Sequence, residues 1–396
     1  MDSKVLGSIL LIIGTTIGAG MLALPIATAQ LGFPASIVLL LVCWLVMTGG
    51  AFLLLEVNLC MPTNSNLVTM ARSTLGPIGQ FIAWAAFLLL LYSLLCAYIS
   101  GGSNLLQYLL QTAGFTVSAS VTSIVFTLLL SMVVYFGIFI IDYVNRGLMF
   151  FKFAGYILLV LCLLPFVTLD HLIESDVSAL SYSSALFVTM TSFGFAVIVP
   201  SLRIYLHSDV QKLKKAIFIG SLIPLICYII WDLVIMGVIP LHGASGLESI
   251  VHSSNSTGML VANLSTTASS QVVTFLAKLF TSICVLTSFL GVSLCLTDFI
   301  SDGLKLDKVG MNRFTILFLT YAPPLLIVLF YPNVFIKGLE YAGIYSVILL
   351  MFIPAWMALR GRQKFPNAAF IVPGGNVALW GLMVISLVLI VYGLVY

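Results

Sequence analysis

The sequence predicts an all-α polytopic membrane protein with eleven transmembrane helices, arranged as a five-plus-five inverted repeat in which helices 1 and 6 are broken. Hydrophobic residues make up 61% of the 396 residues, and charged residues make up only 7%. The apolar residues form runs of roughly 20, the length that crosses about 30 Å of hydrocarbon. Two of these runs are interrupted by glycine and proline at similar positions. These three observations exclude a soluble domain.

The eleven apolar runs, which we call spans 1 to 11, define the expected order of helices. They occupy about 5–30, 34–60, 79–111, 119–141, 148–169, 183–206, 215–240, 271–300, 312–331, 335–359 and 374–396. Because five is an odd number of crossings, a second unit of five spans must be inverted relative to the first. We therefore expect a first repeat over 1–169, an inverted repeat over 183–359, and an additional helix over 374–396. Span 1 lacks the cleavage pattern of a secretory signal, so we expect it to be retained.

The basic residues predict the orientation, because cytoplasmic loops collect Lys and Arg. With the N-terminus in the cytoplasm, 14 of the 16 basic residues lie at inner ends or inner loops. Only Lys278 and Lys337 then lie toward the outer side. An odd number of spans places the C-terminus outside. The net charge of +3 is thus a signal of topology in a lipid-embedded chain and does not indicate a nucleic-acid partner.

Span 1 contains the most informative segment, Gly14-Thr-Thr-Ile-Gly-Ala-Gly-Met-Leu-Ala-Leu-Pro25. Three glycines, two threonines and a proline predict a break in the helix. Lipid cannot pair free N–H and C=O groups, so such backbone is tolerated only inside the protein or along a cavity. Transporters use it as a ligand site. The alternative is that Gly14, Gly18 and Gly20 only allow close packing of helices.

Span 6 carries a second interruption, Thr191-Ser-Phe-Gly-Phe-Ala-Val-Ile-Val-Pro-Ser201. Gly194 precedes Pro200 much as Gly18 precedes Pro25. Broken helices at corresponding positions of two inverted halves are the best sequence indication of a substrate site near the membrane midplane. We therefore expect spans 1 and 6 to face each other there.

These motifs, with several others in order along the chain, resemble the hydroxy/aromatic amino acid permeases. The other matching segments are Leu55-Glu-Val57, Ala97-Tyr-Ile-Ser-Gly101, Thr287-Ser-Phe-Leu-Gly-Val292, Phe330-Tyr-Pro332 and Tyr341-Ala-Gly343. The resemblance implies the inverted-repeat fold of the amino acid–polyamine–organocation superfamily. It also implies proton-driven uptake of an aromatic amino acid, tyrosine above all, across a bacterial inner membrane. Family members carry His directly after the Ser-Phe-Gly-aromatic segment, whereas this chain has Ala196, so no role of that histidine is carried over.

A zwitterionic aromatic substrate needs partners for its carboxylate, its ammonium group and its ring, and the sequence offers candidates for each. Backbone amides at Gly18, Ala19 and Gly20 suit the carboxylate, because glycine permits close approach of a ligand. The remaining candidates are Thr15, Thr16 and the carbonyls near Phe193 and Gly194 for the ammonium group, and Phe195, Phe289 and Tyr98 for the ring. Each of these aromatic residues has packing in the helix bundle as its alternative role.

The candidate coupling residues are Glu56, Lys152, Ser288 and Ser293. Intramembrane charges are costly and often functional. Glu56 in span 2 is expected either to satisfy unpaired amides of the broken spans or to carry a proton. In proton-coupled relatives within the superfamily, a span-5 lysine takes the place of sodium between span 1 carbonyls and span 8 hydroxyls, here Ser288 and Ser293. Lys152 would fill that position; alternatively, it extends to the inner headgroups.

Other function classes have less support. No convergent nucleophile, base or metal cluster indicates an enzyme, and no cofactor is expected. A filter of repeated loops or charged rings, typical of channels, is also absent from the sequence. Alternatives that stay open are a tryptophan carrier or a broader neutral amino acid carrier with sodium coupling, and an amino acid sensor on the same fold that does not transport.

Overall fold

The computed structural model describes residues 2–135, 138–176, 182–243, 245–251, 253, 255–307, 310–331, 334–365 and 369–395, without the side chains of 138–146. Within these ranges every regular element is helical. The helices are α1 (Ser3–Thr16), α2 (Ala19–Thr28), α3 (Phe33–Leu59), α4 (Leu67–Thr112), α5 (Ala119–Tyr135), α6 (Ile138–Leu163), α7 (Leu169–Ile173), α8 (Tyr182–Ser192), α9 (Val199–Tyr205), α10 (Val210–Val238), α11 (Leu247–Val251), α12 (Ser256–Ala268), α13 (Gln271–Leu304), α14 (Gly310–Phe330), α15 (Val334–Val347), α16 (Ile353–Lys364) and α17 (Gly375–Val395). The predicted repeats, spans and motifs also include residues 1, 136, 137, 244, 252, 254, 308, 309, 332, 333 and 396, which lie outside the described residues.

The described helices confirm a polytopic membrane protein, with nine candidate spans, or ten if the bent pair at the start of the chain is one span. Nine helical segments are long and apolar enough to cross a membrane, and the bent pair of α1 with the segment Ala19–Leu31 makes a tenth. Predicted span 4 contains α5, an apolar helix of 17 residues. That is slightly short for a crossing at 1.5 Å per residue. The count of eleven and the inverted repeat therefore stay predictions.

Span 3 begins earlier than the apolar pattern indicates, since α4 starts at Leu67 rather than near residue 79. Its first turns are set off by a kink at Gly76, which has a φ of 79°, followed by Pro77. A left-handed φ suits glycine, and proline removes a helix hydrogen bond, so the direction of the chain changes here. The apolar pattern therefore located the membrane-crossing part and omitted the segment before the kink.

Both predicted breaks are present, with different backbone geometry. Between α1 and α2 the chain is extended at Ile17 and Gly18, and the two helical pieces are bent by 54°. In span 6, α8 ends at Ser192, and a 3₁₀ helix over Gly194–Ile198 leads into α9. The break in span 1 is therefore a stretch of extended backbone, whereas the break in span 6 is a short 3₁₀ helix, which is wound more tightly than an α-helix.

The packing of the bundle places the two breaks inside it. Helix α1 packs mainly on α10, α2 packs on α8, and α8 packs on α15, which in turn contacts α4. Helices α6 and α4 both pack on α13. Every residue of α2 is buried. By contrast, α17 is mostly exposed and lies at the periphery, where a membrane protein contacts lipid.

Span 2 approaches span 10 closely at Gly50. Span 10 contains a π-helical turn, Ile348–Phe352, between α15 and α16. A Cβ atom on Gly50 would collide with the backbone carbonyl of Leu350 in that turn. The neighbouring Gly49 has open space at the same position. Glycine at residue 50 is therefore required by the contact between α3 and the π turn.

We predict that Gly50→Ala lowers the stability of the protein in detergent, by about 1–3 kcal/mol, because overpacking forces backbone to move. The matched control is Gly49→Ala, which adds the same methyl group one residue earlier without a contact. Thermal unfolding of the two purified variants, followed by the loss of monodisperse protein, makes the measurement. Equal midpoints for the two variants would contradict the close approach.

Candidate functional site

The break in span 1 frees backbone groups that side chains of other spans satisfy. The Lys152 ammonium group donates a hydrogen bond of 2.6 Å to the carbonyl oxygen of Ile17. The amide of Ala19 donates to the Ser288 hydroxyl at 2.8 Å. Helix ends leave carbonyls at one side and amides at the other, and at this depth lipid supplies no partner for either. Spans 5 and 8 therefore hold the two sides of the break.

Gly18 is required by the approach of span 8. Its φ of −154° is extended backbone that any residue adopts, so conformation alone does not select glycine here. A Cβ atom at this position would overlap the Ser288 hydroxyl oxygen. Gly20 faces Ser192 of span 6, whose Oγ would lie 3.3 Å from an added Cβ. The glycines thus allow spans 6 and 8 to reach the break.

Tyr228 joins the two broken spans. Its hydroxyl oxygen lies 2.7 Å from the Thr16 carbonyl oxygen and 3.0 Å from the Ser192 carbonyl oxygen. One phenolic proton therefore serves the last residue of α1 and the last residue of α8. The ring also packs edge-on against Phe193, with centroids 5.3 Å apart. Tyr228 fixes the relative position of the breaks, and the expected juxtaposition of spans 1 and 6 is present in the structure.

Sequence reasoning missed Tyr228. A tyrosine within span 7 has the same appearance as the packing aromatics around it, and α10 continues as a helix through this position although Pro224 lies one turn before it. Its role depends on two carbonyl groups that are 212 and 36 residues away in the chain. Only the tertiary structure brings these groups together.

Lys152 is directed into the protein rather than toward the inner headgroups. Its side chain is 1% exposed and is among the largest fully buried side chains of the described residues. The alternative in which it extends to the membrane surface is therefore wrong. The Tyr98 hydroxyl lies next to the Ser288 hydroxyl beside the break. Lys152, Ser288 and Tyr98 thus converge on Ile17 and Ala19, as the resemblance implied for the first two.

Other predicted residues lie away from this point. Ser293 follows Ser288 by five residues, about 7.5 Å along α13, and faces Tyr321. The ring of Phe289 stacks on that of Tyr321, with centroids 5.9 Å apart, and meets Phe126 edge-on at 5.5 Å. Phe289 therefore packs spans 4, 8 and 9 together, and no described contact brings it to the breaks.

The two threonines differ in position. Thr15 is exposed, and its hydroxyl donates to the Leu11 carbonyl at 2.8 Å. Thr16 is buried, and its hydroxyl donates to the Ile12 carbonyl at 2.6 Å. Both protons are used within α1, so Thr16 contributes to the break through its backbone carbonyl. Thr15 faces away from the buried side of the helix.

The aromatic residues of the span 6 break are well enclosed. Phe193 and Phe195 are 0% exposed, whereas Gly194 between them is partly exposed. An added Cβ on Gly194 would lie 4.0 Å from the Ser346 hydroxyl of span 10. Space therefore remains beside Gly194, between spans 6 and 10, and the buried ring of Phe195 follows it directly in the chain.

Glu56 binds an arginine at the end of span 10 instead of the amides of the broken spans. Its two carboxylate oxygens accept hydrogen bonds from the Arg362 guanidinium group at 2.7 and 2.9 Å, and from the Val372 amide at 2.7 Å. The expected contact with the breaks is not formed by these oxygens. Arg362 is one of the 14 basic residues that the charge pattern places on the inner side, and its bidentate pairing with Glu56 joins span 2 to span 10.

Comparison with known proteins identifies the family. The family model described as the tryptophan/tyrosine permease family matches residues 1–393. The chain belongs to this family. It is 34% identical to the tyrosine-specific transport system 1 of Haemophilus influenzae, over 98% of this chain and 96% of that protein. It is 30% identical to the low affinity tryptophan permease of Escherichia coli K12, over 95% and 93% of the two chains. It is also 31% identical to glutamine transporter 2 of Aliivibrio fischeri, over 99% of each.

Membership of the family establishes the general class of this protein. It is an integral membrane permease and not an enzyme. The resemblance found in the sequence motifs is thereby confirmed. The identity to relatives named for tyrosine, tryptophan and glutamine differs by only a few per cent, so overall similarity does not select the substrate.

We predict that Tyr228→Phe weakens ligand binding while the protein still folds. Loss of the hydroxyl leaves two buried carbonyls with one donor fewer, a cost of about 1–3 kcal/mol, or roughly 5- to 150-fold in binding. Tyr156→Phe is the matched control, because that hydroxyl donates at 2.9 Å to the Cys227 carbonyl within α10 and not to a carbonyl of either break. Binding of the two amino acids in the family's name, measured on purified protein, should fall only in the first variant. Equal losses in both variants would contradict the bridging role.

Proposed function

We propose that this permease is a secondary active transporter that imports an aromatic amino acid, with tyrosine favoured, by proton symport and alternating access. The observation that carries the proposal is the meeting of two broken helices inside the bundle, joined by Tyr228. The tyrosine- and tryptophan-named relatives support an aromatic substrate. In this proposal the membrane is a bacterial inner membrane, with the N-terminus in the cytoplasm and the C-terminus outside.

The proposed substrate site lies between the two breaks. Amides at the N-terminus of α2, from Gly18 to Gly20, would bind the carboxylate, which the positive end of a helix favours. The Ala19 amide is bonded to Ser288, so the carboxylate would replace that hydroxyl or use the adjacent amides. The carbonyls at the end of α8 and near Gly194 would accept from the ammonium group. Phe195 and Tyr98 would then line the slot for the ring.

The proposed cycle moves one group of helices against the other around this site. Residues 1–169 and 183–359 would form the two inverted repeats, each beginning with a broken helix, and 374–396 would be the additional helix. The bend between α1 and α2 lets the two halves of span 1 move separately, because no continuous helix couples them. Substrate would then be exposed first to one side and then to the other.

Lys152 is the proposed coupling residue at the break. Its ammonium group occupies the position at the Ile17 carbonyl that a cation would otherwise take, beside Ser288. A buried lysine loses its proton more readily than an exposed one, because burial disfavours the charge. Proton release would free the Ile17 carbonyl and loosen the break. This geometry supports proton coupling over sodium coupling.

A second candidate, a carrier with broader preference among neutral amino acids, is favoured by one observation. The glutamine-named relative matches the full length of this chain at nearly the same identity as the others. The backbone groups at the breaks recognise the part that all amino acids share. The space for the substrate side chain near Phe195 would therefore determine whether the protein prefers aromatic amino acids or accepts a broader range of neutral ones.

We predict that purified protein in proteoliposomes accumulates tyrosine when an inward proton gradient is imposed, and does so equally when sodium is replaced by choline. Competition by unlabelled tyrosine, tryptophan, phenylalanine and glutamine then ranks the substrates. A strict sodium requirement would reverse the coupling assignment. Stronger competition by glutamine than by the aromatic amino acids would favour the carrier of broader preference. Exchange of substrate without accumulation, under a proton or a sodium gradient, would contradict both proposed carriers.

We predict that Lys152→Ala retains exchange of internal for external substrate but loses at least about tenfold in proton-driven accumulation. Exchange needs only the loaded carrier to reorient, whereas accumulation needs the proton to bias the return of the empty carrier. Lys278→Ala is the control, because that lysine lies at an exposed position near Thr112. Full accumulation by the Lys152→Ala variant would exclude Lys152 as the coupling group.

A further inference from the structure

Three carboxylates are buried among the described residues, and two of them are paired with cations. Glu56 is 2% exposed and forms an ion pair with Arg362 at 2.7 Å. Glu340 is 4% exposed, accepts hydrogen bonds from Ser183 and Ser184, and lies 2.8 Å from the Lys337 ammonium group. The third is Asp232 of α10, which is 0% exposed. It is the carboxylate that differs from the others.

Asp232 lies between α10, the end of α2 and the start of α3. One carboxylate oxygen accepts a hydrogen bond of 2.7 Å from the Ser36 hydroxyl. The Thr28 hydroxyl borders the same group but donates to the Leu24 carbonyl at 2.8 Å. The other oxygen, Oδ1, is buried without a hydrogen-bond partner in the described part of the chain. Asp232 therefore has one donor where Glu56 has three.

The charged and titratable side chains on the elements that pack against α10 form no hydrogen bond or ion pair with Asp232 in the described part of the chain. Among the side chains that the structure describes, they are Lys4 of α1, Cys43 and Glu56 of α3, Lys152, Tyr156 and Cys162 of α6, and Asp170 and His171 of α7. Lys4 contacts His207, and Tyr156 and His171 contact carbonyls of α10 on either side of Asp232 along the chain. Among the described residues, only the hydroxyl groups of Ser36 and Thr28 lie next to the carboxyl group. Within the described residues, no cation is positioned to neutralise it.

An isolated ionised carboxylate is strongly disfavoured in a site without water, a cation or several hydrogen bonds. A proton neutralises it with no other change in the structure. The neutral acid still leaves one polar atom unpaired, but this is a much smaller penalty than an unpaired charge. We propose that Asp232 is a proton-binding site, and that α2 docks against α10 only when this carboxyl group holds a proton.

The position of Asp232 links this proton to the moving part of span 1. Thr28 is the last residue of α2, and Ser36 lies in the first turn of α3. When α2 separates from α10, water reaches the carboxyl group and the ionised form becomes stable. When α2 docks, the site closes and the charge has to be neutralised. Proton binding at Asp232 and closure of this half of span 1 are therefore a single linked equilibrium.

This inference rests on the proposed proton symport and adds a second titrating group, remote from Lys152. Asp232 sits six residues before the end of α10, about 9 Å along the helix. It borders the last residue of α2, Thr28, whereas Lys152 binds Ile17, which precedes the first residue of α2. Lys152 acts on the broken backbone, whereas Asp232 acts on the docking of the helix that follows the break. The two can be separated by experiment, because exchange does not require Lys152 to titrate.

The test compares the parent protein with Asp232→Asn, a variant of the same shape that cannot ionise. Tyrosine exchange is measured in proteoliposomes with equal pH on both sides, from mildly acidic to mildly alkaline. In the parent, exchange should fall by up to about tenfold per pH unit once the carboxyl group ionises. In Asp232→Asn, it should change less than about twofold over the whole range. Glu248→Gln, an outer-loop carboxylate paired with His242, is the control and should keep the parent profile.

Infrared difference spectroscopy gives a readout that does not depend on transport. The carbonyl stretch of a protonated carboxylic acid should be present in the parent and absent in Asp232→Asn. If that variant does not fold, Asp232→Ser serves in both measurements, since it is also neutral and able to hydrogen-bond. An unchanged pH profile in a folded neutral variant, or an unchanged acid band, would overturn the proton site at Asp232.

The outcomes also separate this inference from the proposed function. If the parent does not respond to an imposed proton gradient, proton symport is wrong, whatever the infrared result. If the parent responds and the neutral variant keeps the full pH dependence of exchange, symport stands and the site at Asp232 is overturned. If the parent responds to the proton gradient and the neutral variant loses both the acid band and the pH dependence of exchange, proton symport and the proton site at Asp232 are both supported.

Discussion

The structure depends on one constraint, which is that hydrocarbon cannot satisfy backbone groups released from a broken helix. The break in span 1 releases the carbonyls of Thr16 and Ile17 and the amide of Ala19. Side chains from three other spans satisfy them, namely Tyr228, Lys152 and Ser288. These contacts explain why spans 5, 7 and 8 converge on span 1. They also explain why a polar centre persists inside a chain that is 61% hydrophobic.

The same contacts describe how such a site can bind and release a ligand. A hydrogen bond between a side chain and a released backbone group is exchangeable, since a ligand with the same chemistry can replace the side chain at little cost. A carboxylate resembles the Ser288 oxygen at the Ala19 amide, and an ammonium group resembles that of Lys152 at a carbonyl. In the proposed site, side chains of the protein therefore occupy the backbone groups that a zwitterionic substrate would use.

The buried carboxylates show how a protein distributes charge where solvation is absent. Glu56 is paired with Arg362 and joins α3 to α16. Glu340 is paired with Lys337 of its own helix and joins α15 to α8 through Ser183 and Ser184. Asp232 has a single donor, and its place beside α2 makes its charge depend on the position of that helix. Paired charges stabilise one arrangement, whereas an unpaired group responds to a change of arrangement. The surroundings of each carboxylate thus indicate whether it is structural or responsive.

The sequence by itself determined the membrane class, the helical architecture, both breaks and the family, because composition, glycine and proline act locally on the chain. It also indicated Lys152 and Ser288, through residues carried over from the resemblance. Only the tertiary structure decided that Glu56 pairs with Arg362, that Phe289 packs beside Tyr321, and that Tyr228 bridges the breaks. These contacts join residues far apart in the chain. Which partner a buried polar group finds depends on how whole helices pack, and no local pattern records that.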